Sequence, residues 1–585
     1  VDHAVFLSAF VTTLVTIAIF TKLGLYRAVV RFMTTKAFST LAIGIAISAT
    51  TLATISFLTT ASIPRSSIII YFFTAFSVLG TPRLFIRSIV SQLGKNNAEP
   101  VLIYGAGSQG IALSRALATN SIYRPCAFID DSPQKQKTTI QGLKVLPSSA
   151  ISEFVSTYEV KKIVLALGKT ATSQRKRLIE TLANEKLEVL TAPAMTDIVS
   201  GKAKIEEVRE VEIEDLLGRE SVAPSNDLLA SNIKGKVVAV TGAGGSIGSE
   251  LCRQVIAQNP SKLILIELNE FSLYAIEQEL QQLNGLNGTH IPVISILGSV
   301  QKQHRLTTIF QTFKVQTVYH AAAYKHVPMV EHNVVEGVRN NVFGTWYCGE
   351  AAIQAGVERF VLISTDKAVR PTNVMGASKR LAELALQALA KRQSDTLFCM
   401  VRFGNVLGSS GSVVPLFRRQ IKEGGPITVT HPDIIRYFMT IPEASQLVIQ
   451  AGAMGKGGDV FVLDMGEPVK ITSLAKKMIQ LSGLTEKTVD NPSGDIEIQF
   501  SGLRPGEKLY EELLIGDNVE GTTHPRIMTA SEVFLNWPET HNLLHRLDKA
   551  CHEFRVEDVI NLLLEAPAAY NKQGDCQDWV MNAAK

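Results

Sequence analysis

The sequence has little cysteine, no excess of charge, and three stretches near its start that carry no charge at all. Six cysteines (126, 252, 348, 399, 551 and 576) are scattered without a C-x-x-C pair. That excludes a disulfide framework and a zinc ribbon, and leaves reduced, buried thiols in a cytosolic setting for most of the chain. His320, His326, Glu331 and His332 fall close together but lack metal-site spacing, so no metal is expected. A net charge of +4 over 585 residues, with no basic stripe, gives no footprint for nucleic acid. The length exceeds what one hydrophobic core holds, and three or four domains are expected. The chain opens at Val1 rather than at methionine, as a truncated chain or an incomplete reading frame would.

The uncharged stretches are Ala4–Phe20, Ala37–Ile63 and Ser66–Thr81. A helix crossing a bilayer needs about 20 apolar residues, so the second qualifies and the third must tilt or borrow its flanks. Their succession argues against a cleaved signal peptide. Lys22, Arg27, Arg31 and Lys36 separate the first two stretches, and Arg83 and Arg87 follow the third. Only Arg65 lies between the second and third, so basic asymmetry puts the 22–36 loop and everything after about residue 83 in the cytoplasm. Three spans leave the N-terminus outside, and a further upstream span would return it.

Beyond a polar linker, Gly94–Glu99, the run P-V-L-I-Y-G-A-G-S-Q-G (100–110) reads as a strand, a glycine turn and a helix. The strand Pro125–Ile129 ends at Asp130-Asp131, where a ribose-binding acid would belong, and another follows at Lys162–Leu167. This small doubly wound region holds no obvious proton-transfer residue. Nucleotide binding and a structural relic are both open readings of it.

The central motif is K-V-V-A-V-T-G-A-G-G-S-I-G-S-E (236–250). β-Branched residues predict a buried parallel strand, and a helix should begin near Ser246. Gly242 permits a tight turn, Gly245 a close approach to a pyrophosphate, and Gly248 close packing of helix on strand, with Ser246 and Ile247 at the helix N-terminus. A second strand, Lys262–Ile266, ends at Glu267, whose carboxylate suits ribose hydroxyls and repels a 2′-phosphate, so NAD is favoured over NADP. Small residues Ala321, Ala322 and Ala323 after the strand near Thr317 leave room for the cofactor. Helices at Glu336–Gln354 and Gly376–Lys391 alternate with strands at Arg359–Ser364 and Phe398–Phe403, which predicts a parallel sheet covered on both faces.

Thr365, Asp366 and Lys367 stand at the carboxyl end of a predicted strand, where such sheets place ligands. Met375 and Lys379 lie one helical turn apart. Arg402 with Asn405, and Arg504 with Glu507, put an arginine beside a turn, which suits a diphosphate. Lys325 and His326 are candidates for lining a substrate site.

Together, T-G-A-G-G-S-I-G-S-E (241–250), H-A-A-A-Y-K-H-V-P (320–328), S-T-D-K-A (364–368), M-G-A-S-K-R (375–380), R-F-G-N-V (402–406) and L-R-P-G-E-K-L-Y-E-E (503–512) resemble the extended short-chain dehydrogenase/reductase superfamily. Within it the chain closely resembles the membrane-bound nucleotide-sugar 4,6-dehydratases of bacterial capsule, O-antigen and protein-glycan synthesis, over its whole length. The resemblance implies UDP-N-acetylglucosamine as substrate, NAD held tightly and recycled, and a 4-keto-6-deoxy sugar nucleotide as product. It implies Lys367 as the base at C5 and Asp366 as the acid at C6, with the lysine pKa lowered and the aspartate raised. Met375 occupies the usual tyrosine position and cannot take a proton. Lys379 is left to bind the nicotinamide ribose, and Thr365, a water or Asp366 to carry the C4 hydroxyl proton. Ser299 stands where relatives often have an aspartate facing the adenine.

The implied architecture is α/β, with N-terminal transmembrane helices (1–92) and two doubly wound, Rossmann-like parallel-sheet domains. The first of these is 98–195; a connector (196–232) leads to the catalytic domain with its sugar-nucleotide site (233–530), of extended short-chain dehydrogenase/reductase fold. A helical tail (531–585) is expected to cover the sheet. The implied setting is the bacterial inner membrane, crossed several times, with the catalytic part in the cytoplasm. The helices Glu336–Gln354 and Gly376–Lys391 offer a face for a homo-oligomer. The competing readings are a UDP-sugar 4-epimerase and a non-catalytic NAD- or nucleotide-sensing membrane scaffold.

Overall fold

The computed structural model describes residues 3–23, 35–61, 63–95, 98–119, 122–167, 172–193, 204, 207–211, 215, 222–409, 411–512 and 519–583. Two compact units divide the chain: Val1–Gly168 with Leu190–Arg209, and Lys169–Val189 with Glu210–Lys585. Residues 169–189, expected in the first α/β domain, thus group with the second unit, where Lys477 Nζ meets Glu180 at 2.7 Å.

The first unit opens with helices His3–Lys22, Thr35–Leu58 and Arg65–Lys95. Among the described residues only two helical stretches are apolar and long enough to cross a membrane, His3–Lys22 and Ser39–Leu58. The expected third span, Ser66–Thr81, falls in the 31-residue helix Arg65–Lys95, which is not among them. Gly44 lets the first two helices approach, since a Cβ there would stand 2.9 Å from the Phe20 ring. The fully buried Ser48 hydroxyl meets Thr16 Oγ1 at 2.5 Å and Tyr71 OH at 2.8 Å, joining all three helices through polar contacts suited to an apolar environment. The loop 24–34, with Arg27 and Arg31 of the charge asymmetry, lies outside the described residues, as does most of the expected connector.

The α/β part of this unit centres on parallel strands in the order Leu143–Leu146, Tyr123–Ile129, Glu99–Tyr104, Lys162–Leu165, within a seven-stranded sheet. Asp130 and Asp131 close the second strand in chain order, and both are already engaged. Asp130 accepts from the N–H of Ala106 and from Lys135 Nζ, each at 2.9 Å, while Asp131 accepts from Tyr104 OH at 2.6 Å and from Ser148. Burial alone would raise the pKa of Asp130, but Lys135 and the Ser132 and Ala106 N–H groups hold it below the usual carboxylate range.

The second unit is built on a nine-stranded sheet. Its order is Val293–Leu297, Lys262–Glu267, Val237–Thr241, Thr317–His320, Arg359–Ile363, Leu397–Arg402, Asp459–Leu463, Ile527–Ala530, Val519–Gly521. The first seven are mutually parallel, and Ile527–Ala530 runs antiparallel to both of its neighbours, Asp459–Leu463 and Val519–Gly521. Alternation along the strands sorts the core onto two faces: Val238, Val240, Leu263 and Val361 on one, Ala239, Ile264, Val318 and Phe360 on the other. Each fully buried side chain of this kind contributes about 1.5–3 kcal/mol.

The helix Val374–Arg392 is buried from Val374 through Leu389. Its N-terminus is capped by Asn373, whose side chain accepts from the Gly376 N–H at 2.8 Å. Outside it lie the helices Trp537–His552 and Val556–Glu565, which share one core with it through Leu381, Leu384, Leu544, Leu547 and Leu563. This corrects two expectations. The tail covers this helix rather than the sheet, and Gly376–Lys391 offers no free oligomer face because the chain's own tail occupies it.

A largely buried ion cluster locks this helix to the sheet. Arg402 donates to Glu383 through Nε (2.8 Å) and Nη2 (2.5 Å) and to Glu532 through Nη1 (2.5 Å) and Nη2 (2.8 Å). Arg380 pairs with the same two carboxylates, each at 3.1 Å, and Ser364 Oγ donates to Glu383 at 2.6 Å. Burial would raise the Glu383 pKa, but the two guanidinium groups pull it down to about 2. Arg402 is therefore a core residue, and the expectation that it binds a diphosphate is corrected: it is 1 % exposed and its fork is filled. Removing one partner strands a buried charge, so Glu383→Ala should cost about 3–5 kcal/mol. The measurement is urea unfolding of the full chain followed at the tryptophans, since all three (346, 537 and 579) lie in this unit. A midpoint unchanged from the parent would show that the cluster does not hold the fold.

Candidate active site

The glycine turn forms as its spacing demands. Val237–Thr241 ends at Gly242, whose φ of +64° is the left-handed conformation glycine favours, and a Cβ there would lie 2.7 Å from the Ala322 nitrogen. Gly248 has no room for a side chain either, because its Cβ would stand 1.9 Å from the Gly242 oxygen. Helix Ser246–Ala257 starts at once, so Ser246, Ile247 and Gly248 lie in the first turn, where N–H groups have no carbonyl of their own helix to meet. Gly245 is the N-cap. Glu267 faces the loop: Oε2 accepts from the Gly244 N–H (3.0 Å), Oε1 from those of Leu268 (2.8 Å) and Asn269 (3.0 Å). Three donors fix its orientation and leave one of its about four lone-pair sites open to a hydroxyl. Ser299 Oγ is occupied locally by the Gln301 N–H at 3.2 Å.

Across the turn, Ala321, Ala322 and Ala323 follow the strand Thr317–His320 without regular structure. Asn341, on a π-helical turn at Arg339–Phe343, clamps this loop by accepting from the Tyr324 N–H (2.8 Å) and donating to the Tyr324 carbonyl (3.0 Å). His320 is held between Thr241 Oγ1 (2.7 Å) and Thr345 Oγ1 (3.1 Å), and burial, helped by Lys379, lowers its pKa to about 3, so it stays neutral. A glycine cradle, a helix N-terminus, an oriented acid and an alanine wall make a set that fits NAD. A 2′-phosphate would face the Glu267 carboxylate.

Lys379 comes from the second turn of helix Val374–Arg392 and donates to the Ile363 carbonyl at 2.8 Å. Burial lowers its pKa from 10.5 to about 8, partly opposed by Glu383. Met375, one turn earlier, is buried.

Thr365, Asp366 and Lys367 form the centre. Thr365 Oγ1 donates to Asp366 Oδ1 at 2.8 Å, and Lys367 Nζ reaches the same oxygen at 3.0 Å. Asp366 is 1 % exposed, and its Oδ2 is buried with no protein partner. Gly404 brings the backbone against it, since a Cβ there would stand 3.0 Å from Oδ2. Asn405 Oδ1 lies 3.4 Å from Lys367 Nζ. Burial lowers the Lys325 pKa, and the charge of Lys367 lowers it further, while the His326 ring packs against Gly411.

The charge state of Lys367 differs from the expectation of a lowered pKa. Burial pushes that way, but Asp366 and Glu511, whose Oε1 is 3.6 Å from Nζ, raise it overall. In this state it is an ammonium. The later motif also plays a different part from the one expected. Glu507 accepts from Arg436 Nη2 at 3.0 Å and from the Arg504 N–H at 3.2 Å, so it braces a buried arginine rather than facing a ligand. Arg504 itself is exposed. Arg436, Glu511 and Asn341 are site residues that the motifs do not single out. Only Glu511 carries a signal, as the eighth residue of R-P-G-E-K-L-Y-E-E.

Among the described residues no cluster of three or more metal-ligating side chains occurs.

Two family models match the chain. One, described as polysaccharide biosynthesis protein, covers residues 238–532, and another, described as CoA-binding domain, covers 21–193. The chain is 48% identical to the capsular polysaccharide biosynthesis protein CapD of Staphylococcus aureus, over 75% of this chain and 72% of the relative. It is 43% identical to the probable polysaccharide biosynthesis protein EpsC of Bacillus subtilis, over 84% of this chain and 82% of the relative. Among solved structures, Pen from Bacillus thuringiensis is 33% identical, with 52% of this chain and 90% of that one covered and a TM-score of 0.45.

The lysine on the long helix makes a prediction of definite sign. With a folded pKa of about 8 against 10.5 unfolded, Lys379 imposes the cost of a buried charge below pH 8. That cost is relieved as pH rises from about 8 to 10.5, because the unfolded state then binds the extra proton. NAD-free protein should therefore gain stability over this window, at a slope approaching about 1.4 kcal/mol for each pH unit. Lys379→Met should abolish that rise in urea midpoints measured across the window. A parallel rise in the variant would assign it to other groups.

Proposed function

The chain belongs to the polysaccharide biosynthesis family of nucleotide-sugar dehydratases and epimerases, and from that premise we propose that it is a membrane-anchored dehydratase of UDP-N-acetylglucosamine. The product is the 4-keto-6-deoxy sugar nucleotide, made for a surface polysaccharide. The observation that carries this reading is the buried Asp366–Lys367 pair, with its unpartnered Asp366 Oδ2, at a site where Met375 replaces the usual proton acceptor. An epimerase needs a proton shuttle at C4 alone. Elimination of water across C5 and C6 needs both a base and an acid.

When bound, NAD supplies reversible two-electron oxidation, first at C4 and then in reverse at C6. The protein supplies the proton movements. Thr365, already donating to Asp366, gives the O4 proton a path to that carboxylate. Asp366 then protonates the departing O6, and Lys367 takes the C5 proton and later returns it. Lys379 binds the nicotinamide ribose, while Glu267 selects NAD. Lys325, His326, Asn405 and Arg504 border the sugar nucleotide. The helices His3–Lys22 and Ser39–Leu58, long and apolar enough to cross a bilayer, support the membrane anchoring in this reading, which puts the catalytic unit in the cytoplasm of a bacterium.

The test is incubation of the full chain with UDP-N-acetylglucosamine, followed by mass spectrometry. Loss of one water is expected, and Asp366→Asn and Lys367→Ala should each lower turnover at least about 100-fold with NAD still bound. Unchanged mass with a galacto-configured product would make the protein an epimerase. Full turnover by either variant would remove the pair from the mechanism.

A further inference from the structure

Lys367 enters the proposed reaction with a proton it must lose before it can take one from C5. Its surroundings contain one group placed to receive that proton. Glu511 is buried, with Oε1 3.6 Å from Lys367 Nζ and 3.8 Å from Arg436 Nε, and its Oε2 is also buried without a protein partner. Asp366 is closer, but in the proposed reaction it carries the O4 proton to O6 and cannot hold a second one. Arg436 is shared with Glu507 and keeps two carboxylates from repelling each other.

Several contacts hold Glu511 in place. The Gly506 carbonyl accepts from Thr372 Oγ1 and Asn373 Nδ2, both at 3.0 Å, and Lys508 Nζ donates to the Val369 carbonyl at 3.1 Å. Gly506 has φ +72°, and a Cβ there would stand 2.7 Å from Asn373 Cβ. The segment 504–511 is thus stapled to 369–373, the stretch immediately after the catalytic turn.

We propose that Glu511 is a positioning residue that stores the resting proton of Lys367 during elimination. The Lys367 ammonium passes one proton to the Glu511 carboxylate and becomes a neutral amine. The amine then takes the C5 proton. After reduction at C6 it returns that proton to C5, and Glu511 gives its own back to the amine. No proton is gained from or lost to solvent by this pair over the cycle. The inference rests on the dehydratase reading above and adds the group that makes Lys367 a base.

The experiment compares the full-length parent, Glu511→Gln and Glu511→Asp, each with bound NAD and unfolding midpoint recorded, across about pH 6 to 10. The parent should show kcat nearly flat through neutrality. In Glu511→Gln the lysine must lose its proton to solvent, so kcat at about pH 7 should fall about 100-fold with KM little changed, then recover about tenfold per pH unit. Glu511→Asp, which keeps the carboxylate, should keep the flat profile at reduced rate. A Gln variant slowed equally at every pH, or as active as the parent, would overturn the role. A parent that releases no water at any pH would instead overturn the dehydratase reading itself.

Discussion

The structure of the catalytic unit depends on a charge that has been taken out of water. Arg402 sits at the end of a central strand with its guanidinium filled by Glu383 and Glu532, and Arg380 completes the cluster. Desolvating such groups is costly, and the cost is offset only when every donor and acceptor is satisfied. Meeting that condition joins three pieces of chain: the strand Leu397–Arg402, the long helix, and the segment after the strand Ile527–Ala530. Glu383 also takes the hydroxyl of Ser364, the residue before the Thr365–Asp366–Lys367 turn. Lys379 lies one turn before Glu383 on the same helix. The cluster thereby ties the position of the Thr365–Asp366–Lys367 turn to that of Lys379.

The two glycine turns show how similar local sequences acquire different surroundings. In each, an acid at the end of the following strand accepts an N–H from the turn: Gly244 for Glu267, Ala106 for Asp130. Asp130 is in addition neutralised by a lysine. The second turn is followed, on the same sheet, by a strand that leads into buried ionisable groups. What separates the two is chemistry at the neighbouring strand ends rather than the turns themselves.

Much of this is legible in the sequence, and the legible parts are local. A turn that excludes side chains at Gly242 and Gly248, an acid at the end of the next strand and a lysine one turn beyond Met375 all follow from short-range geometry. The sheet is legible too, because strands and helices alternate in period. What escapes is non-local. R-F-G-N-V shows that Arg402 is charged and near a turn, but its partners lie 19 and 130 residues away and make it core. The same holds for Glu507, claimed by Arg436, and for the tail, whose amphipathic helices have an apolar face but no label saying which surface it meets. The charge of Lys367 escapes for the same reason: burial can be inferred from a motif, whereas a carboxylate arriving from residue 511 cannot.

The stapling of 504–511 onto 369–373 has a consequence for how the protein comes into being. Chains emerge N-terminus first, and domains form as their residues become available. The nucleotide cradle and the catalytic turn are complete as sequence by residue 379, yet the turn lacks its second counter-charge until Glu511 has followed, and the strand end beneath it lacks Glu532. The Asp366–Lys367 pair therefore acquires these surroundings only after residues 511 and 532 have been made, long after the apolar helices His3–Lys22 and Ser39–Leu58 have left the ribosome. A chain that stops before residue 511 holds the glycine cradle without the counter-charge that Glu511 brings to Lys367.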